Sequence, residues 1–430
     1  MSGIEWIAPA LKAARPKAMA ALLRYFRDLD TAEEAFQEAC LRALAHWPRQ
    51  GPPRDTAAWL ILVGRNAGVD ALRRRRRDAP LPDEAALSEV GADRDDAEAD
   101  LAERLDASHY RDDILRLLFV CCHPDLPRTG QIALALRVVS GVPTARIARA
   151  FLVSEAAMEQ RLTRAKARVA RAAVPFEAPG GPEREARLAA VAAMLYLVFN
   201  EGYSAAFDAA GDRSPLCDEA IRLARLLLRL FPAEPEILGL TALMLLQHAR
   251  AAARFDPHGA AILLEAQDRT RWDRALIGEG LALLDKAMRH NRAGPYQIQA
   301  AVAALHARAA RADATDWAQI DHLYATLERM QPSPVVTLNR AVAVSKARGP
   351  IEGPAEALAL IAPLEAALSA YFYFHGARGA FLKALGRRAE ARVAFDRAIA
   401  LAGSAAEAAF IRAQLDALAE GEAGADRANA

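Results

Sequence analysis

Cysteine is scarce in this chain: there are four in 430 residues, at Cys40, Cys121, Cys122 and Cys217. Their irregular spacing fits neither a disulfide framework nor a pair of CxxC metal knuckles. The cysteines therefore predict a protein without disulfides that resides in the reducing cytoplasm.

Long apolar runs are lacking as well. The longest run, residues 188–199, ends at Asn200 and Glu201, well short of the roughly 20 residues that a membrane-spanning helix needs. Residues 1–17 show no basic flank, apolar stretch and cleavage site in the order of a secretory signal. We expect a cytoplasmic protein with no membrane partner.

Aromatic residues make up only 6% of the chain, whereas Ala and Leu dominate. Strands favour β-branched and aromatic side chains, so this balance indicates closely packed helices instead. A chain of this length is also long enough for two or three domains. The composition therefore predicts an all-α protein.

Common catalytic motifs are absent from the sequence. No HExxH, GxxxxGKS/T or GxSxG pattern occurs, and the nine histidines are scattered. Cys121, Cys122 and His123 are adjacent, but neighbours on a helix point to different faces, so a core helix at 114–122 explains them better than a metal site. We expect no enzyme activity, no cofactor and no metal.

The formal net charge is only +1, which excludes a uniformly basic nucleic-acid-binding protein. The charges are unevenly ordered, however. Residues 73–77 are all arginine, residues 83–113 hold twelve Asp or Glu against three Arg, and residues 137–171 hold eight Arg or Lys against two Glu. Two basic segments flanking an acidic one suit local contacts with nucleic acid, although a solvated helix end also explains the arginine run taken alone.

A Pro-Gly-Gly-Pro break at 179–182 is the strongest boundary signal in the sequence. Beyond it the composition changes to Ala-, Leu- and Arg-rich helical patterns, and the small, polar end of the chain predicts disorder. We predict five segments: a first domain at 1–80, an acidic linker at 81–107, a second domain at 108–176, a large helical domain at 184–418 and a disordered tail at 419–430.

Two helices are predicted in the first domain. Thr31 fits the N-cap of the first helix, and Pro48 ends it. Its predicted inward face follows a helical spacing through Phe36, Cys40, Leu44 and Trp47.

The second helix runs from residue 57 through the arginines, with Asp55 or Thr56 as its cap. One sector of it carries Arg65, Asn66, Arg73 and Arg76, which can follow a phosphate backbone.

The segments TAEEAFQEACLRA (31–43) and AWLILVGRNAGVDALR (58–73) resemble region 2 of extracytoplasmic-function (ECF) sigma factors. In that family the first helix docks on the β′ clamp helices of core RNA polymerase, and the loop and second helix capture and melt the −10 element. The resemblance assigns polymerase binding to Glu34, Gln37, Glu38 and Arg42. It assigns −10 binding to Arg54, Thr56, Trp59, Arg65, Asn66, Asp70, Arg73 and Arg76, with a structural core role open for Trp59.

Residues 144–172 predict a helix-turn-helix. Thr144 can cap a short helix that ends at residue 151, Leu152 and Val153 make the turn, and Ser154 caps a longer helix. That second helix has an apolar inward face formed by Met158, Leu162, Ala165 and Val169.

The segment SEAAMEQRLTRAKAR (154–168) is similar to the −35-reading helix of region 4 in ECF sigma factors. That resemblance implies binding to the β flap of the polymerase and assigns −35 contacts to Thr144, Ser154, Ala156, Glu159, Gln160, Arg161, Arg164 and Arg168. Relatives commonly place a basic residue at the position of Glu159, so we expect an altered −35 preference. The acidic linker resembles the segment that threads the polymerase cleft, and an ordinary disordered tether explains it equally well.

The C-terminal half contains repeated helix pairs. They are predicted at 217–230 with 235–250, 296–310 with 317–330, 335–346 with 355–368, and 371–385 with 387–401, where Gly379, Leu382, Ala391, Phe395 and Ala398 permit close crossing.

The combination resembles ECF sigma factors with a C-terminal tetratricopeptide-type domain, and the segments YLVFNEGY (196–203) and LEAQDRTRWD (264–273) look like signatures of that group. We predict a regulatory solenoid that binds a protein regulator or contacts the sigma regions. Its charged residues form either a ligand or metal site, or helix caps and buried ion pairs: Glu201, Asp208, Glu265, Asp268, Arg271 and Asp273.

These inferences predict a promoter-specificity factor that binds core RNA polymerase and promoter DNA. The alternative is a helical-repeat scaffold that its helix-turn-helix tethers to DNA.

Overall fold

The computed structural model describes residues 6–75, 107–123, 125–151, 153–171, 181–205, 215–256, 262–403 and 405–428. Within these ranges the chain is helical and has no β-strand, which confirms the all-α prediction. None of the helices in these ranges combines the length and apolarity that crossing a membrane requires. The chain forms two compact units, Met1–Leu197 and Val198–Ala430.

The first unit begins with three helices that pack on one another: α1 (Ile7–Phe26), α2 (Leu29–Gln50) and α3 (Thr56–Arg75). Two of them approach closely at Gly68, where a Cβ atom would lie 2.4 Å from the Phe26 ring. A glycine at this point of α3 therefore lets α1 and α3 pack tightly.

The ends of α2 differ from the sequence prediction. Its N-cap is Asp28, whose carboxylate accepts hydrogen bonds from the backbone N–H and hydroxyl of Thr31 at 2.7 and 2.6 Å. The helix continues past Pro48 to Gln50. Proline removes one backbone hydrogen bond but leaves the others, and α2 ends only at Gly51, which has a positive φ of 83°. Thr31 as the cap and Pro48 as the end were therefore wrong.

The cap of α3 agrees with the sequence. Asp55 accepts hydrogen bonds from the N–H groups of Ala57 and Ala58 at 2.8 and 3.1 Å, as an N-cap carboxylate does. Of the five consecutive arginines, Arg76 and Arg77 lie outside the described residues.

Four further helices follow in the first unit: α4 (Ala107–Cys121), α5 (Arg128–Val138), α6 (Thr144–Ala150) and α7 (Glu155–Arg171). Cys121 and Cys122 are buried, and burial raises the pKa of both thiols, that of Cys122 to about 12. The core helix predicted at 114–122 is therefore confirmed up to Cys121.

The next helix, α8 (Gly181–Ala205), begins inside the Pro-Gly-Gly-Pro break. Proline suits the first turn of a helix because its missing N–H would have no helical partner there. The first compact unit ends at Leu197, within α8.

Helices of the second unit pack in succession along the chain, and the four predicted pairs are in contact. Their bounds are α9 (Pro215–Leu230), α10 (Pro235–His248), α11 (Arg274–Met288), α12 (Pro295–Arg308), α13 (Trp317–Met330), α14 (Pro334–Ala347), α15 (Glu352–Ile361), α16 (Glu365–Leu368), α17 (Phe372–Ala384), α18 (Arg388–Leu401) and α19 (Ala405–Ala428). The pattern had not predicted α11, which packs on α10.

The crossing of α17 and α18 follows the predicted small-residue pattern. A Cβ atom on Gly379 would lie 2.5 Å from the Phe395 ring, so only glycine allows this approach. Gly386 turns the chain between the two helices with φ of 73°.

The last helix, α19, extends through Ala428 into the segment predicted to be disordered. That prediction weighed the small, polar residues of the tail, whereas its Ala and Glu residues also favour helix strongly.

Candidate nucleic-acid and protein interfaces

The outward face of α2 combines polar and apolar side chains. Glu34 and Gln37 are exposed, while Glu38 and Arg42 form an ion pair at 3.0 Å on the same helix. Beside them Leu41 is 63% exposed. Exposed leucines next to charged groups suit a protein interface.

Leu44 lies on this outward face and is 50% exposed, so its predicted core position was wrong. The buried stripe of α2 instead passes through Phe36, Ala39, Ala43 and Trp47. Spacings of three and four residues fit both stripes, so periodicity alone does not show which one is buried.

The loop before α3 and the helix itself carry the predicted −10 residues. Arg54 is exposed and Thr56 is half-buried at the start of the helix. The half-buried Trp59 makes an edge contact with Trp47, with ring centroids 5.2 Å apart. Part of the Trp59 ring thus belongs to the core and part remains accessible.

Further along α3 the predicted residues divide into two groups. The Arg65 guanidinium lies 4.5 Å from the centre of the Tyr25 ring, a cation–π contact that holds it in place. Asn66, Asp70 and Arg73 are exposed at spacings of four and three, so they share one face. Arg76 lies outside the described residues.

Helices α6 and α7 form the predicted helix-turn-helix. The Ser154 hydroxyl accepts a hydrogen bond from the Ala157 N–H at 3.2 Å, as its cap role requires, and Thr144 is half-buried at the start of α6. The four predicted inward residues of α7 are all buried: Met158, Leu162, Ala165 and Val169.

The outward face of α7 is basic along its second half. Ala156, Glu159, Gln160, Arg164 and Arg168 are exposed, and Arg161 is half-buried. Arg168 also donates to the backbone carbonyl of Asp125 at 3.0 Å. A helix with polar early turns and later arginines can read bases first and hold phosphates second.

Three of the charged residues predicted as a regulatory cluster have separate partners. Asp268 caps the turn at Arg269–Arg271, Asp273 caps α11, and Glu265 pairs with Lys346 at 2.8 Å. Burial raises the pKa of Glu201, and Arg271 is exposed. Asp208 lies outside the described residues, among which no group of three or more His, Cys, Asp or Glu can hold a metal.

The segment 264–273 also contains Arg269, which is only 7% exposed. Its guanidinium donates to the carbonyls of His306 and Ala309, at 2.5 and 2.8 Å, and lies over the Trp272 ring. These carbonyls belong to the end of α12, where backbone acceptors lack helical partners. Arg269 therefore caps α12 from a distant loop, a role that helical periodicity does not predict.

A groove of about 1280 Å³ opens in the second unit. Part of its wall is aromatic and includes Tyr371, which precedes α17, Phe372 and Phe381 of α17, and Phe410 of α19. Leu263 and Tyr373, which also line it, are exposed.

Comparison with known families agrees with this geometry. Sigma-70 region 2 matches residues 11–78, which include most of α1 and all of α2 and α3, and Sigma-70, region 4, matches residues 116–169, which include α5 and α6 and most of α7. The two regions define a sigma-70 family sigma factor, a factor of transcription initiation that binds core RNA polymerase and promoter DNA. Residues 187–288 match a Family of unknown function (DUF6596).

A full-length relative is the protein of Rhizobium meliloti (strain 1021) described as "Uncharacterized protein R00370". It is 68% identical over 419 residues, which cover 97% of each chain. The chain therefore belongs to the same family as that protein. No solved structure matches the chain.

Proposed function

We propose that the chain is a sigma factor of the ECF type, with a C-terminal helical-repeat domain that modulates its activity. The observation that carries the proposal is an exposed basic recognition helix, α7, in the same chain as the exposed α2–α3 surface. Only residues 79–115 lie between the region 2 and region 4 matches. A segment of this length leaves little room for another folded domain, as expected of a factor with two sigma regions.

The polymerase-binding surface in this proposal is the outward face of α2. Glu34, Gln37, Glu38 and Arg42 supply its polar groups, and they dock on the β′ clamp helices. Leu41 supplies the apolar centre of this surface, from which water is displaced on binding. Region 4 docks separately, on the β flap.

The −10 surface is the loop and helix that carry Arg54, Trp59 and Arg73. Unstacked bases bind proteins by stacking on aromatic rings, and the accessible part of Trp59 offers such a ring. Arg54 and Arg73 are both exposed and supply contacts to the DNA phosphate backbone that do not depend on base sequence.

The −35 surface is α7. Gln160 can reach base edges from the second turn and Arg164 from the third, while Arg168 can hold a phosphate. The carboxylate of Glu159 repels phosphate but can accept a hydrogen bond from cytosine N4, so it favours a cytosine-containing −35 element.

The C-terminal domain is proposed to be tetratricopeptide-like. Consecutive packed helix pairs, the glycine-dependent crossing at Gly379 and the aromatic groove support this assignment, since repeat domains bind partners along such surfaces. It acts either through a protein regulator or through contact with the sigma regions. The charged residues of 201–273 then serve mainly as caps and ion pairs.

The direct test is initiation. The full-length chain is added to bacterial core RNA polymerase and a promoter library, and start sites are mapped. We expect initiation at a defined promoter class, which the substitution Arg164→Ala weakens and Arg397→Ala, an exposed arginine on α18, does not. Binding to polymerase and DNA without initiation at any promoter would favour the tethered scaffold instead.

A further inference from the structure

The first unit holds the helices of region 2 and region 4 in direct contact. Helix α1 packs on α4, and α2 contacts α7. In the proposed function α2 binds polymerase and α7 reads DNA, so the two functional helices touch each other in the free chain.

One carboxylate lies at the centre of this contact. Glu33 on α2 is only 4% exposed. Its oxygens lie 2.8 Å from Lys166 Nζ on α7, 3.2 Å from Arg137 Nε on α5 and 3.7 Å from Arg15 Nη2 on α1. Lys166 also pairs with Asp30 of α2 at 2.7 Å. Glu33 therefore joins cations from both sigma regions.

The surrounding contacts hold these cations in position. The Arg15 side chain donates to the carbonyls of Val138 and Arg137, at 2.9 and 3.1 Å, where α5 ends. Burial alone would lower the pKa of Lys166, but its hydrogen bonds to Asp30 and Glu33 raise that pKa above its ordinary value. Removing the Glu33 charge would leave partly buried cations close together, which is costly.

Promoter reading requires a different arrangement. Elements at −35 and −10 lie about 25 base pairs apart, or about 85 Å at 3.4 Å per base pair. Gln160 lies only about 9 Å along α7 from Lys166, at 1.5 Å per residue. While Lys166 is bonded to α2, the −35-reading surface stays beside region 2 and cannot reach its own element.

We infer that Glu33 is a latch that holds the sigma factor closed, and that polymerase binding at α2 releases it. This inference rests on the proposed function. The closed state also occupies the Lys166 ammonium, so opening returns a phosphate-binding cation to α7. The latch thereby couples polymerase docking on one region to DNA binding by the other.

The test measures the separation of α2 and α7 in the full chain. Spin labels are attached at His46→Cys and Arg171→Cys, two exposed positions, with the half-buried Cys40 replaced by Ala throughout. Pulsed electron paramagnetic resonance then gives the distance distribution. Glu33→Gln should raise the ratio of long to short distances roughly a hundredfold, the scale expected for breaking a buried ion pair.

Glu155→Gln is the matched control, because it neutralises an exposed acid on α7 and should leave the distribution unchanged. An unchanged distribution in folded Glu33→Gln overturns the latch. Should circular dichroism show that this variant unfolds, Lys166→Met gives the same comparison from the more accessible partner, and an unchanged distribution there also overturns it.

Addition of core polymerase separates the inference from the proposed function. We expect the wild-type distance to lengthen on binding. Retention of the short distance in a complex that initiates transcription would overturn the latch. Failure to bind polymerase would count against the proposed function, while the free-chain comparison would still decide whether Glu33 closes the two regions.

Discussion

The outward leucines of α2 give the sharpest prediction about polymerase binding. Complete burial of a leucine side chain contributes about 1.5–3 kcal/mol. Leu41 and Leu44 are 63% and 50% exposed, so an interface that covers them gains roughly 2–3 kcal/mol together. Truncation of both to alanine removes about two-thirds of this gain, which corresponds to roughly a 10- to 30-fold increase in Kd.

The assay is equilibrium binding of the Leu41→Ala/Leu44→Ala chain to core RNA polymerase. Stability should change by less than about 0.5 kcal/mol per site, because both side chains lie at the surface. Met288→Ala/Val393→Ala is the matched control, since these apolar side chains of the second unit are 59% and 70% exposed. A Kd within twofold of wild type for the α2 variant would refute the docking assignment.

Three further predictions concern packing, promoter choice and pH. Gly379→Ala should lower the stability of the α17–α18 pair by about 1–3 kcal/mol through its clash with Phe395, measured by amide exchange, whereas Gly278→Ala, with open space around it, should gain about 0.5–1 kcal/mol. Glu159→Gln should relax a preference for cytosine in the −35 element, measured by selection from randomised promoters; identical selected sequences would contradict this. Burial, followed by the charges of Arg250 and Arg269, lowers the pKa of His306 from 6.5 to about 4, so the folded state excludes a proton that the unfolded state binds. Stability should therefore fall as pH drops from 6.5 towards 4, and His306→Phe should flatten that dependence in thermal unfolding.

Local features of the fold were predictable where the residues that determine them lie within a few positions of each other. The caps at Asp55 and Ser154 and the inward face of α7 follow from residues three or four positions apart. Leu44 was misassigned because two stripes on α2 satisfy the same spacing, and only the packed neighbours decide between Ala43 and Leu44.

Long-range features were not predictable from periodicity. Glu33 and Lys166 are 133 residues apart, and nothing in either helix pattern indicates that they meet. The same holds for Arg269, which bonds to carbonyl groups 37 and 40 residues further along the chain. Backbone acceptors leave no mark on the sequence, so the signature segment does not reveal that Arg269 caps a distant helix.

The donor and the acceptors of the Arg269 cap should tolerate substitution to different degrees. Its acceptors are backbone carbonyls, which every amino acid supplies, so residue 309 can vary freely while the bond persists. Residue 269 cannot vary in this way: Arg269 Nη1 donates to both carbonyls, Nη2 donates to the Thr315 hydroxyl at 3.4 Å, and the planar group lies over the Trp272 ring. Lysine keeps the charge but has no planar group that can make all of these contacts at once. A complete substitution scan would thus find that position 269 tolerates few replacements, whereas the end of α12 that it caps tolerates many. Related sequences can therefore diverge at the end of α12 without losing the cap.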